Sequence, residues 1–377
     1  MKNTAFQQLL KPLTNKLITN CVDKFNSDYH YETFKTREHM ESMIYAQINM
    51  IKSLRDLEIA LNGRKLGTKT RAKKSTLSDA NTNRTSGCFF WILSELMSLL
   101  PRKRYREMKK VVKVLDSSPI QLRDYGYEWA KQYATHHIAG LKLHTEYDLA
   151  LSSPTRIVTS QANCNDVLMG QQWPIQPGVV YVFDKGYYDY NWWWSIEQKK
   201  AFFVTRLKKN AVIKIKSKSK AVSEAVLEDS QFYFTNKNPR GGKRNLYEGS
   251  LRRVVVKREG KKPLYLVTNM HDVSADEVAT LYKARWEIEL FFKWVKQNLK
   301  VKKFLGKSMN AVRIQLAAAL IAYVLLILLK ATLKMDLSLK LLLVWVRCNL
   351  QTNVRDYIKY NPPHYQFNQM NKRAVQL

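Results

Sequence analysis

The stretch Val179-Val180-Tyr181-Val182-Phe183-Asp184-Lys185-Gly186-Tyr187 decides the fold. Its first five residues are β-branched or aromatic and do not alternate with polar ones. That pattern predicts a strand covered on both faces, as in the middle of a parallel sheet. The run ends in Asp184, and Gly186 permits a sharp exit. An acid at the C-terminal end of such a strand lies at the edge where α/β sheets build their sites. Toward the N-terminus, Val111 to Asp116 is a second β-branched run that closes on an acid. Leu141 to Leu149 and Thr155 to Thr159 read as two further strands, with Ser152-Ser153-Pro154 as their turn. Toward the C-terminus, Tyr188 to Lys199 reads as a helix with Asp189 near its start, and Ala201 to Thr205 as a short strand. Together these elements predict a mixed sheet flanked by helices.

Residues 206–270 change rhythm. Alternation in Val212 to Lys216, Phe232 to Phe234 and Arg252 to Lys257 predicts antiparallel strands, with a turn at Asn238-Pro239-Arg240-Gly241-Gly242. Arg206 to Lys262 holds 17 basic and 5 acidic residues, which favours a phosphate-facing surface over simple edge protection by lysines. The first hundred residues look helical. Arg37 to Leu61 carries apolar residues at helical spacing and Gly63 ends the run. A basic stretch follows, with Arg64, Lys65, Arg71, Lys73 and Lys74, and Ser75 and Ser78 serve as caps for the next helix. Helix, basic loop, helix fits a small DNA-binding module; the plainer reading is a solvated loop between packing helices.

Composition narrows the function. The 377 residues include 63 Lys+Arg against 31 Asp+Glu, a net charge of +32. Such a surplus points to a polyanion, and nucleic acid is the first candidate. No export or membrane segment is expected. The start lacks an apolar core, and the most apolar run, Leu316 to Leu329, is bounded by Arg313, Gln315 and Lys330, so it reads as a buried core helix. The four cysteines (Cys21, Cys88, Cys164, Cys348) are isolated and form no C-x-x-C, which argues against a zinc ribbon or a disulfide framework and fits a reducing cytosol. Gly241-Gly242-Lys243 lacks the spacing of a nucleotide-binding loop, so an ATP-driven motor is disfavoured. The Arg/His constellation of a tyrosine recombinase is not evident.

Leu281 to Lys300 reads as one helix. At about 100° per residue, Tyr282, Arg285, Glu289 and Lys296 share a stripe about 60° wide, while Ala284, Ile288, Phe291, Val295 and Leu299 face the other way. Lys293 stands at i+4 from Glu289, so a surface ion pair is the plain reading. Added to Asp116 and Asp184, Glu289 gives three carboxylates from two strands and a helix. Hard oxygens of this kind suit two Mg²⁺ or Mn²⁺ ions in phosphoryl transfer. Asp148 and His144 lie near Asp116 in the expected sheet, His144 more as a structural residue than as a site residue. Asp124 is the alternative first acid. Trp192-Trp193-Trp194 reads as helix core, with base stacking as the competing role.

The spacing Tyr282-x2-Arg285-x3-Glu289-x6-Lys296 resembles the Y-R-E-K pattern of a large, insertion-sequence-four-like family of bacterial transposases of the DDE class. Asp116-Ser117-Ser118 is similar to the family's first-aspartate motif, usually Asp-Ser-Thr, and Lys142-Leu143-His144 to the strand after it. Val182 to Tyr187 resembles the second-aspartate motif, and Phe203 to Arg206 the following strand. Ser53 to Asp56 and Ser75 to Asn81 resemble its leader domain. The resemblance implies a ribonuclease H-like catalytic core interrupted by a β-rich insertion, preceded by a helical N-terminal DNA-binding domain. The expected divisions are 1–105 for the helical domain, 106–206 for the first part of the core, 207–270 for the insertion, 271–335 for the rest of the core, and 336–377 for a C-terminal helical segment and tail. It also implies Asp116, Asp184 and Glu289 as metal ligands, with Tyr282, Arg285 and Lys296 on DNA phosphates. The expected partners are double-stranded DNA, as element ends and target, and a second copy of the chain in the assembled complex. The expected location is the bacterial cytoplasm, at the nucleoid. A metal-dependent nuclease of the same fold and a non-catalytic DNA-binding regulator are the competing readings.

Overall fold

The computed structural model describes residues 4–63, 70–101, 110–122, 125–130, 139–220, 223–235, 244–299 and 303–350. Its helices in chain order are α1 (Ala5–Leu10), α2 (Asn15–Phe25), α3 (Thr36–Ile48), α4 (Leu54–Gly63), α5 (Lys74–Asn83), α6 (Ser86–Ser98), α7 (Asp166–Gln172), α8 (Tyr190–Gln198), α9 (Ala275–Lys283), α10 (Trp286–Asn298), α11 (Met309–Leu333) and α12 (Leu339–Cys348). Its strands are β1 (Val112–Gln121), β2 (Gly140–Asp148), β3 (Ser153–Gln161), β4 (Val180–Phe183), β5 (Phe202–Arg206), β6 (Ile213–Lys220), β7 (Val226–Phe234), β8 (Leu251–Val256) and β9 (Leu264–Thr268). The chain divides into two compact units. One combines Met1–Pro101, Gln121–Ala130 and Lys293–Leu377; the other combines Arg102–Ile120 and Lys131–Phe292.

The first unit is helical and is built around α11. Every residue from Ile314 to Leu326 in α11 is buried, with α1, α3, α5, α6 and α12 packed on it. A helix that is apolar all round needs such complete cover. Ser308 caps its start by accepting from Ala311 N at 3.2 Å. The helix runs well beyond the Leu316–Leu329 segment and, at 25 residues, is long and apolar enough to cross a membrane by length and composition. In this structure 72% of its most apolar window is buried.

Several expectations change here. Arg37 to Leu61 is two helices, α3 and α4, because Met50 adopts a left-handed φ of 55° and Ser53 restarts the helix by accepting from Asp56 N. Apolar periodicity runs through that break without registering it. Ser75 and Ser78 lie inside α5, which starts at Lys74, so neither is its cap. Cys21 and Cys88 form a disulfide between α2 and α6, Cα to Cα 6.0 Å, rather than standing isolated. Both sit on buried faces that meet only after folding, 67 positions apart in the chain. Arg64, Lys65, Asp124 and the 238–242 turn lie outside the described residues.

The second unit holds a nine-stranded mixed sheet in the order β3-β2-β1-β4-β5-β9-β8-β7-β6, with helices packed against it. The α/β class and the helix-flanked mixed sheet are as the sequence predicts. β1, β4 and β5 run parallel, and β4 is wholly buried. β9 returns antiparallel to β5, and β8, β7 and β6 continue the same sheet from it. The basic strands therefore extend the sheet. Lys214, Lys216 and Lys218 are exposed on β6, its last strand.

Two strand boundaries differ from expectation. β1 does not end at Asp116 but continues to Gln121; what ends there is its pairing with β4, whose last register pair is Leu115 with Phe183. The turn before β3 is Leu149 to Ser152, with Ser152 at φ 47°, while Ser153 and Pro154 already pair with β2. α8 is capped by Asp189, which accepts from Trp192 N at 2.9 Å. Its fully buried Trp193 packs 5.3 Å from the Phe203 ring and also meets Phe183. Trp192 is buried as well, so both serve the core, where burying one large apolar side chain contributes about 1.5–3 kcal/mol.

Candidate active site

The parallel register of β1 and β4 sets the site. Leu115 pairs with Phe183, so the next residues, Asp116 and Asp184, emerge side by side from neighbouring strands. Such strands lie about 4.8 Å apart. Each acid is held by the backbone just beyond it. Asp116 Oδ1 accepts from Ser117 N at 2.8 Å, and Asp184 Oδ1 accepts from Gly186 N at 2.7 Å.

Glu289 reaches this pair through Arg285. One guanidinium nitrogen of Arg285 donates to Asp116 Oδ2 at 3.1 Å and the other to Glu289 Oε1. The arginine thus occupies the gap between a strand acid and a helix acid. Among the described residues, no three His, Cys, Asp or Glu side chains already surround a common point as a ligand set.

The helix is not the single rod expected. α9 ends at Lys283, Ala284 and Arg285 form a turn, and α10 starts at Trp286. Tyr282 therefore sits on α9 while Glu289, Lys293 and Lys296 sit on α10. The turn tilts Arg285 between the two, with its guanidinium 5.9 Å from the Tyr282 ring centroid. Ile288, Phe291, Val295 and Leu299 are buried as predicted, whereas Ala284 is half-buried. Lys293 is exposed and Lys296 half-buried, farther along α10. Arg71, Lys73 and Lys74 are exposed at the start of α5.

The electrostatics follow from this geometry. Burial raises the Asp116 carboxyl to about 7; Arg285 opposes the rise, while the Asp184 charge and, more weakly, Glu289 add to it. A buried carboxyl beside two other acids resists carrying its charge, and a bound cation reverses that preference. The Tyr282 phenol is also raised by burial, against the pull of Arg285 and Arg206. Lys185, next to Asp184, is pushed down by burial and by Arg206, Lys209 and Lys208. Three cations therefore gather around Lys185, the residue after Asp184.

Two residues near the acids escape sequence reasoning. Asp166, at the start of α7, lies against Gly186: a Cβ there would stand 3.0 Å from both Asp166 Oδ2 and Asp184 Oδ1. Tyr187 has a buried hydroxyl without a hydrogen-bond partner among the described residues. Burial and the charges of Asp166, Asp116 and Asp184 hold it protonated. Asp166 carries no pattern of its own, since it reads as a helix-start acid. His144 is fully buried on Ser160, 2.7 Å away, and burial lowers it to about 4, so it is neutral.

Comparison with known proteins shows the family. The family described as Transposase DDE domain matches residues 107–325, and a domain of unknown function matches residues 1–67. The transposase y4zB of Sinorhizobium fredii is 39% identical over 255 residues, covering 66% of this chain and 69% of its own. A transposase for an insertion sequence element of Geobacillus stearothermophilus is 29% identical over 338 residues, covering 86% and 85%. Among solved structures, a piggyBac transposase synaptic complex with hairpin DNA superposes with a TM-score of 0.51 at 9% identity, covering 98% of this chain and 84% of that one. That last likeness is one of fold. The family match spans more than half of the chain and includes both strand acids and the glutamate helix, so the chain belongs to the bacterial insertion-sequence transposases of the DDE class.

Proposed function

We propose that this transposase cuts DNA at the ends of its insertion sequence and joins them to target DNA, with Asp116, Asp184 and Glu289 as the working acids. The observation that carries the reading is the Arg285 bridge from Asp116 to Glu289, beside Asp184 in strand register. The donor set is all hard carboxylate oxygen, which fits Mg²⁺ or Mn²⁺, and two ions suit a displacement with an attacking and a leaving oxygen. Bound by these acids, the metal would neutralise phosphate charge and sharpen water or a 3′-hydroxyl as nucleophile.

The chain's own groups do the rest. Arg285 is a planar fork that fits a phosphate as well as two carboxylates. It exchanges Asp116 and Glu289 for a phosphate when DNA arrives, and so releases the acids. Lys185, Arg206, Lys208 and Lys209 give the strand a cationic bed beside Asp184. Lys293 and Lys296 on α10 are further phosphate contacts, and Tyr282 supports Arg285. The helical segment 1–105, with Arg64, Lys65, Arg71, Lys73 and Lys74, holds the element ends, aided by the basic insertion 207–270. The core is then 106–206 with 271–335, and 336–377 is its C-terminal segment. Joining two ends calls for two copies on DNA.

The test is Asp184→Asn on a plasmid carrying the element ends, with Mg²⁺ present. Cleavage should vanish while end binding, read by gel shift, stays within about twofold. A variant that still cuts overturns the assignment. Strand transfer by the unmodified chain separates the transposase from a nuclease of the same fold.

A further inference from the structure

We infer that Asp166 is a positioning residue that locks Asp116 and Asp184 in their ligating orientation through Ser117 and Gly186. The inference rests on the reading of those two acids given above. Four elements close on the Asp166 carboxylate. From β1, Ser117 Oγ donates to Asp166 Oδ1 at 2.8 Å, and Ser117 is the residue whose N–H holds Asp116 Oδ1. From β2, Lys142 Nζ donates to the same Oδ1 at 3.1 Å. From the exit of β4, Gly186 packs so close to Oδ2 that a Cβ would stand 3.0 Å away, and its N–H holds Asp184 Oδ1. α7 supplies Asp166 itself, and Lys142 also donates to Cys164 O at 2.7 Å, pinning the chain just before that helix.

The two cations near the acids separate two jobs. Lys142 compensates Asp166 in a half-buried pair that does not involve the working acids. Arg285 instead compensates Asp116 and Glu289, the groups that a metal would claim. Asp166 already has two donors, one of them its counter-charge Lys142, so it serves as a fixed post rather than as a ligand. His144 Nδ1 lies 3.7 Å from Oδ1, beyond hydrogen-bond reach. Ser117 and Gly186, whose N–H groups hold the two aspartates, are thus braced against one group. Partners that orient ligating carboxylates typically change metal affinity or activity by about 10–100-fold when removed.

The test uses Ser117→Ala, Ser117→Thr, Asp166→Asn and, as a reference, Asp184→Asn. Mn²⁺ binding to the full chain is followed by calorimetry, beside melting temperature, end binding and cleavage. Ser117→Ala and Asp166→Asn should weaken Mn²⁺ binding and slow cleavage by about tenfold or more, with end binding unchanged. Ser117→Thr, which keeps the hydroxyl, should restore both. Unaltered Mn²⁺ binding in Ser117→Ala, or no rescue by Ser117→Thr, overturns the positioning role. If Asp166→Asn fails to fold, the Ser117 pair alone decides. Should Asp184→Asn still cut, the assignment of the acids fails instead, and the two failures stay distinct.

Discussion

The guanidinium of Arg285 lies 3.1 Å from Asp116 Oδ2, although the two residues are 169 positions apart in the chain. A cation side chain here stands where the acids need positive charge. Removing one partner of a desolvated ion pair leaves the other charge uncompensated. Arg285→Ala should therefore lower the melting temperature of the metal-free protein, and Mn²⁺ should recover it. The DNA-free variant should also bind Mn²⁺ severalfold more tightly, while end binding weakens by roughly tenfold for the lost fork on phosphate. Calorimetry and gel shift read the two effects. Equal Mn²⁺ affinity in both proteins would show that Arg285 does not compete for the acids.

A Cβ on Gly186 would stand 3.0 Å from both Asp166 Oδ2 and Asp184 Oδ1, so one of the two carboxylates must shift to admit it. Gly186→Ala should cost about 1–3 kcal/mol in urea unfolding, because a shift of either carboxylate strains the hydrogen bonds that Asp184 Oδ1 accepts from Gly186 N and Asp166 Oδ1 accepts from Ser117 and Lys142. Cleavage should fall more than end binding does. Gly63, with open space at its Cβ position, is the internal control. Alanine there ends the same kind of experiment with no loss, or a gain of about 0.5–1 kcal/mol.

His39 titrates far below its ordinary range, at about 3, chiefly from burial, with the Asn81 hydrogen bond opposing and Arg84 adding to the fall. The unfolded chain takes up this proton near pH 6.5, and the folded unit does so only near pH 3. Stability is thus complete above about pH 6.5 and declines as pH drops toward 3, by up to about 1.4 kcal/mol per pH unit. His39→Leu should flatten the decline measured by urea unfolding between pH 6 and 4. A slope as steep as that of the parent chain would contradict a neutral buried imidazole.

Asn310 ties the start of α11 to the α5–α6 connection. Its Oδ1 accepts from Ser86 N at 3.0 Å, and its Nδ2 donates to Asn81 O at 3.0 Å and to Arg84 O. Asn310→Ala strands three backbone groups, and each unsatisfied group costs about 1–3 kcal/mol when shut away from water. The loss should appear in the melting temperature, before any change in DNA cleavage per folded molecule. An unshifted melting temperature would mean that water replaces the amide at no cost.

Much of the architecture was readable before folding. The unbroken apolar run at Val179–Phe183 announced a strand buried on both faces, and β4 is that strand. Alternation in Arg252–Val256 announced β8. What periodicity missed were interruptions that leave the apolar count intact: the left-handed Met50 inside one apparent helix, and the turn at Ala284–Arg285 inside another. Asp116 looked like a strand end because its apolar run stops there, yet β1 goes on while its partner leaves.

The sequence by itself determined the fold class and the strongly cationic character, because strand burial and net charge are sums over local residues. It also marked Asp116, Asp184 and Glu289 as candidate acids, by type and spacing. Only the tertiary structure decided that one arginine spans Asp116 and Glu289, that Asp166 joins Ser117 and Gly186, and that Cys21 meets Cys88. Those meetings depend on strand register and helix packing. Both are set by contacts between residues tens to hundreds of positions apart, which no local pattern encodes.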